Sequence, residues 1–276
     1  MGKLCPLHCW RGHFYGSVVM QAYDIILQAG QSNAAGYGHG PAANPYVPDP
    51  GICYLTQGDP QAAEYEIKGD YAITVAAERP NPAVSPEDRL GDFSLSFARK
   101  YVEEGLLEQG RKLLIVRAAV GATGFLKHYW GMGEPLYLRM LRMTDYALAF
   151  NPDNRLVGFL WHQGEHEAAF NNDPQRYHDQ FLALVESVRS RYKTPELPFV
   201  CGGFCTEWAQ KNQPACDTIM AVIRSVAEEA KGIYIDTADL RSNNQKTGDG
   251  DEIHFCREDL QELGRRYFSA YKTLIY

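Results

Sequence analysis

Tyr23-Asp-Ile-Ile-Leu-Gln-Ala-Gly-Gln-Ser-Asn-Ala-Ala-Gly-Tyr-Gly38 is an apolar run that halts at Gly30 and delivers Ser32 into a turn of small and polar residues. The segment Ile25 to Ala29 is short, partly β-branched and bounded by glycine, which favours a buried strand over a helix. A strand that stops at a glycine and hands over to a helix N-terminus sets its next side chain at the C-terminal edge of a sheet. Unpaired backbone N–H groups there favour negative charge, and α/β proteins keep their ligand sites at that edge. Ser32 also suits a plain helix N-cap, and this stretch alone leaves both readings open.

Outward from it, short apolar runs alternate with amphipathic stretches, the signature of βαβ units and a mostly parallel sheet. The pattern predicts five strands at Asp24–Ala29, Lys112–Ala118, Arg155–Trp161, Pro198–Phe204 and Gly232–Asp236. Helices are predicted at Phe93–Glu108, Pro135–Phe150, Pro174–Tyr192, Cys216–Ala230 and Arg257–Leu274. The fold class is therefore α/β, a three-layer α/β/α sandwich around a mostly parallel five-stranded sheet. Residues 40–91 break the rhythm with Pro41, Pro45, Pro48, Pro50, Pro80, Pro82 and Pro86, and with β-like pieces at Ile52–Thr56 and Tyr71–Ala76. An excursion of this length is expected to carry function or cover a site.

At 276 residues and 45% hydrophobic content, the chain suits one domain, 23–276, behind an N-terminal extension, 1–22, expected to be poorly structured. Acidic residues outnumber basic ones by 34 to 27, and no Lys/Arg block offers a footprint for nucleic acid. No apolar stretch approaches the ~20 residues that span a bilayer. Residues 1–20 carry Lys3, His8, Arg11 and His13 without a continuous apolar segment, so no signal peptide is read and a cytoplasmic address is expected. The seven cysteines are scattered without a framework and read as reduced thiols. Cys5, His8, Cys9 and His13 imitate a metal-ligand set, but the loop between the pairs is short for a zinc module.

Three further strand ends are crowded with polar groups, and in a parallel sheet they share one edge. Val116-Arg-Ala-Ala-Val-Gly-Ala-Thr-Gly124 brings glycines that let backbone N–H groups approach a ligand; an ordinary βα turn is the plainer alternative. Gly158-Phe-Leu-Trp-His-Gln-Gly-Glu-His-Glu-Ala168 runs from a buried strand into His162, Gln163, Glu165, His166 and Glu167. Thr247-Gly-Asp-Gly-Asp-Glu-Ile-His-Phe255 sets Asp251 and His254 three apart before the last helix. Together these supply Ser32, His254 and a carboxylate from Asp251 or Glu165. A serine hydroxyl becomes a useful nucleophile when an imidazole takes its proton, and a carboxylate fixes the imidazole's tautomer and offsets its charge. The order Ser, acid, His suits an α/β scaffold, although Gly30-Gln-Ser-Asn-Ala34 is not the G-x-S-x-G elbow of α/β-hydrolases.

In order and spacing, Gly30-Gln-Ser-Asn33, His162-Gln-Gly-Glu165 and Asp251-Glu-Ile-His254 resemble the signature blocks of the sialate O-acetylesterase-like carbohydrate esterases, a branch of the SGNH hydrolases. The resemblance spans roughly residues 23–276. It implies a flavodoxin-like sandwich and a serine esterase, free of metal and other cofactors, that removes acetyl groups from small sugar esters. By position, Ser32 would be the nucleophile and His254 the general base. The N–H groups of Ser32 and Gly121 and the Gln163 side chain would form the oxyanion hole. Gln31, Asn33 and His162 are assigned to substrate binding, and Trp130 as an aromatic that could stack on a sugar. The triad acid is either Asp251 or Glu165 within the resemblance; Asp251 is favoured, with Glu165 supporting. This chain departs from the pattern at Ala122, where a second glycine is usual, and at His166, where a small residue is usual.

Two rival readings remain open. His162-Gln-Gly-Glu-His166 matches H-x-x-E-H, a zinc-hydrolase motif in which His162 and His166 bind the metal and Glu165 is the base, but Gly164 interrupts the helix this requires. A non-catalytic carbohydrate-binding protein on an esterase scaffold would have lost Ser32, His254 or both acids, and none is lost. His128, Tyr129 and Trp130 follow the glycine block and could stack on a sugar ring, with packing under a loop the favoured reading. Arg79 and Arg117 could orient an acidic sugar or form ordinary ion pairs. Oligomeric state is not legible.

Overall fold

The computed structural model describes residues 20–57, 71–85 and 87–276. Cys5, His8, Cys9 and His13 lie outside the described residues. The chain order is β1 (Ala22–Gly30), α1 (Ser32–Ala35), β2 (Ile52–Gln57), β3 (Tyr71–Val75), β4 (Arg79–Pro80), β5 (Arg89–Leu90), α2 (Phe93–Glu103), β6 (Arg111–Arg117), α3 (Pro135–Ala149), β7 (Arg155–His162), α4 (Glu165–Ala169), α5 (Pro174–Arg191), β8 (Phe199–Gly202), α6 (Thr206–Lys211), α7 (Ala215–Glu229), β9 (Ile233–Ile235), α8 (Asn243–Thr247) and α9 (Arg257–Ile275).

The stretch that opens the sequence analysis is the central strand. β1 pairs in parallel with β6 on one side and β7 on the other, within a sheet ordered β3-β2-β6-β1-β7-β8-β9. Its side chains alternate between two cores, as a strand covered on both faces requires. Ile25, Leu27 and Ala29 join the cluster with Trp161, Phe181 and Ile223; Ile26 joins Phe93, Phe97, Leu260 and Tyr267 beneath α2 and α9. The α/β/α sandwich is thus as expected, with one correction. Ile52–Gln57 pairs in parallel with β6, and Tyr71–Val75 closes that edge antiparallel, so seven strands replace five. Part of the Pro/Gly-rich excursion therefore extends the sheet.

Asp24 is fully buried in β1 yet satisfied. It accepts from Arg111 Nε and Arg155 Nε at 2.7 Å each and from Tyr101 Oη at 2.9 Å. This network sits at the N-terminal end of the sheet. At the other end Gly30, Arg117 and His162 reach the same edge. Gly30 has φ +130, and a Cβ there would fall 2.1 Å from the His162 carbonyl oxygen, so only glycine lets β1 pass this close and release Ser32 at the edge.

Candidate active site

Ser32 opens α1 and is nearly buried, at 6% exposure. Among the described residues its hydroxyl has no hydrogen-bond partner; nucleophile–base bonds commonly close only with substrate in place. The next residue explains how distant parts of the chain meet here. Asn33, fully buried, donates from Nδ2 to Glu165 Oε1 (2.8 Å) and to the Ile253 carbonyl (3.1 Å), and its Oδ1 accepts from Phe255 N–H (3.1 Å). His254 is thus gripped on both flanks by the neighbour of Ser32. All three bonds that a carboxamide of this geometry offers here go to segments more than 130 residues away in sequence.

His254 Nδ1 lies 2.8 Å from Asp251 Oδ2 and 3.0 Å from Oδ1. Burial pushes the Asp251 pKa up, but hydrogen bonds from His254 and Asn243 outweigh it, so the carboxyl sits below its ordinary value and stays ionised. Asn243, which the sequence reading missed, is the hub of this corner. It donates from Nδ2 to Asp251 Oδ2 (2.8 Å) and the Tyr37 carbonyl (3.1 Å), while its N–H donates to the His254 carbonyl (2.8 Å). The Ser242/Gln245 capping box starts α8 and sets Asn243 in its first turn; the S-x-x-Q spacing was the signal for it.

Glu165 is fully buried and bonds Asn33; it makes no hydrogen bond to the His254 ring. Burial raises its pKa, with the Asn33 bond and nearby His254 acting the other way. His162, 3.9 Å from Glu165, is also fully buried, which lowers its pKa to about 3 and keeps it neutral. Tyr267 Oη donates to the Trp161 carbonyl (3.0 Å), leaving it to accept from His162 Nδ1 at 3.0 Å, which assigns the ring proton to Nδ1.

Gly121 flanks Ser32: a Cβ built on it would stand 3.7 Å from Ser32 Cβ. Ala122 follows with φ +56, a left-handed conformation that costs a residue with a Cβ about 1 kcal/mol. The extra methyl group is thus accommodated at the cost of that strain, while Gly121 stays beside Ser32.

The sequence model of the family described as "Carbohydrate esterase, sialic acid-specific acetylesterase" matches residues 22–273. The chain belongs to this carbohydrate esterase family. A curated relative, the probable 9-O-acetyl-N-acetylneuraminic acid deacetylase of Escherichia coli K12, is 26% identical over 153 residues; the match covers 52% of this chain and 44% of that relative, less than half its length. Among solved structures, NanS superposes with a TM-score of 0.72 at 20% identity, covering 93% of this chain and 98% of its own. An Arabidopsis thaliana protein gives 0.66 at 19% identity, over 91% and 98%. A carbohydrate acetylesterase from Xanthomonas citri gives 0.60 at 16%, over 91% and 56%. These likenesses establish the shared fold.

Within this carbohydrate esterase scaffold, several expected contacts turn inward. Gln163 is fully buried, and its Nε2 lies within reach of Gln31 Oε1 (3.3 Å), the Thr123 carbonyl (3.3 Å) and Glu167 Oε1 (3.1 Å). Its amide hydrogens thus face acceptors within the protein, where the resemblance implied a donor to the oxyanion. Gln31 accepts that bond and one from His166 N–H (3.2 Å), so it too faces inward. His162 and Trp130 are fully buried and Asn33 is committed as above, which removes all three from direct substrate contact. Trp130 Nε1 donates to Thr123 Oγ1 (2.9 Å) and its ring meets Trp161 edge-on. His128 pairs with Glu134 at 2.9 Å. Arg79 donates to the carbonyls of Ala35 and Gly36 at the end of α1 and Arg117 to that of Ala35, with Arg117 also 3.5 Å from Asp92, rather than lying in solvated pairs. Cys201 and Cys205 are buried free thiols. His162 ends a strand and His166 lies in the short helix α4, so the zinc motif's shared helical face does not form. Among the described residues, three ligand-type atoms within 4.8 Å of one another occur instead at His39, Asp249 and Asp251. No described helix is long and apolar enough to cross a membrane.

Proposed function

We propose that this chain is a serine esterase that hydrolyses O-acetyl esters of small sugars, with O-acetylated sialic acid as the first substrate class to test. The observation that carries the reading is the Asp251–His254 pair gripped through Asn33 against the turn that bears Ser32. Family membership supports the reaction class, and the E. coli relative's name supports the sugar. Residues 23–276 act, in this reading, as one domain, because the nucleophile comes from its first strand and the base from the turn before its last helix.

The ionised Asp251 holds His254 with its proton on Nδ1, leaving Nε2 as the base. His254 takes the Ser32 proton as Oγ attacks the acetyl carbonyl, then gives it to the departing sugar oxygen. Water repeats the cycle in reverse roles and frees acetate. The N–H groups of Ser32 and Gly121 face the developing negative charge, each such donor commonly worth ~3 kcal/mol.

The test is hydrolysis of p-nitrophenyl acetate and of 9-O-acetyl-N-acetylneuraminic acid by wild type and Ser32→Ala, with and without EDTA. Activity should survive the chelator and drop at least about 10³-fold in the variant. Activity that persists in Ser32→Ala would refute the serine mechanism.

A further inference from the structure

Gln163 spends its amide hydrogens inside the protein, so the oxyanion position has two backbone donors where three were expected. Beside Gly121 lies a phenol that no sequence block singled out. Tyr37 follows α1, half-buried, and its ring stacks on the His254 imidazole with centroids 5.4 Å apart and planes inclined by 22°. Its hydroxyl reaches across to the turn after β6. A Cβ built on Gly121 would stand 3.3 Å from Tyr37 Oη and 3.7 Å from Ser32 Cβ, so the bare face of Gly121 has the phenol and the nucleophile as its nearest neighbours. Among the described residues that hydroxyl has no hydrogen-bond partner, leaving its proton for a ligand.

The ring is also held in place. The Arg79 guanidinium carbon lies 5.5 Å over it, and Arg79 is itself anchored on the carbonyls of Ala35 and Gly36 at 3.0 and 2.6 Å. The Tyr37 carbonyl accepts from Asn243 Nδ2, the same group that bonds Asp251. A donor fixed from both ends and set beside the nucleophile is the arrangement that stabilises charge in a transition state without reorganising.

We propose that Tyr37 is a further catalytic residue, its hydroxyl donating the third hydrogen bond to the oxyanion; this rests on the Ser32 esterase reading. As Ser32 Oγ bonds to the carbonyl carbon, the Oγ–H proton passes to His254 Nε2 and the C=O π pair moves onto oxygen. Tyr37 donates a hydrogen bond to that oxygen and keeps its proton. When the carbonyl re-forms, the sugar oxygen leaves with the proton from His254.

Tyr37→Phe removes the hydroxyl and keeps the ring on His254. With p-nitrophenyl acetate, kcat is expected to fall 10- to 100-fold with KM within about threefold. Inhibition by ethylboronic acid, whose serine adduct is tetrahedral, should weaken by a similar factor while Tm is unchanged. A kcat within twofold of wild type overturns the proposal, as does a rise in KM alone or a kcat loss with undiminished boronate inhibition. Ser32→Ala is measured alongside. If it is inactive while Tyr37→Phe matches wild type, only this inference fails; if it stays active, the serine reading and this inference fall together.

Discussion

At residue 33 a single carboxamide joins three separated segments, and the arrangement shows what each acid beside His254 can do. Asp251 holds Nδ1 of the ring, whereas Glu165 is tied to Asn33 and carries a pKa raised by burial. Asp251→Asn would present an amide N–H to Nδ1 and favour the wrong tautomer, so kcat is expected to fall about 10³- to 10⁴-fold. Glu165→Gln keeps an oxygen acceptor for Asn33 and removes a carboxyl that ionises reluctantly; its kcat should stay within about tenfold. Measuring kcat and Tm for both variants decides the matter, and a larger loss in Glu165→Gln would transfer the role of triad acid. Asp251 and His254 were legible because a three-residue separation on a tight turn allows a local pair. The inward turn of Gln31 and Gln163 was not, since a polar group beside a strand end can face solvent or core with the same sequence. Tyr37 escaped notice because its placement is defined by Gly121 and His254, neither near it in sequence.

At the scale of elements, the five strands separated by long amphipathic helices were readable from periodicity alone. β2 and β3 were visible only as short pieces, because joining the sheet depends on pairing Ile52–Leu55 with Leu113–Val116, a contact that local pattern does not encode. The short helices α1, α4, α6 and α8 contain too few turns to show a period. Among the long helices, α9 bears most directly on the site, since it starts three residues after His254 and packs against α2. The two approach through Gly264, where a Cβ would fall 1.9 Å from the Phe93 carbonyl oxygen and 2.1 Å from Ser96 Oγ. Gly264→Ala must push the helices apart and is expected to cost about 2 kcal/mol or more in urea unfolding, with a severalfold loss of kcat as the His254 turn shifts. Ser269→Ala, on the exposed face of the same helix, should stay within about 0.5 kcal/mol. Equal stability for the two variants would contradict the tight α2–α9 contact.

For the whole molecule, a site assembled from both ends of the described chain leaves ionisable groups under its floor, and these make global stability depend on pH. His162 titrates near 6.5 when unfolded but at about 3 in the native protein, because burial disfavours its charged form. Between those values the unfolded chain binds a proton that the native state refuses, so stability is greatest above pH 6.5 and declines as pH falls. The slope approaches about 1.4 kcal/mol per pH unit, or about 2 kcal/mol from pH 6.5 to 5. Glu165 works in the opposite sense: with its native pKa raised above 4.5, the folded state takes its proton first and gains stability on acidification. Comparing wild type with His162→Gln cancels the Glu165 contribution to first order, since both proteins keep that carboxyl. In urea titrations at pH 6.5 and 5, the wild type should lose about 2 kcal/mol more than the variant. Equal losses would mean that His162 takes up a proton in the native state, and hence that its burial does not disfavour the charged ring.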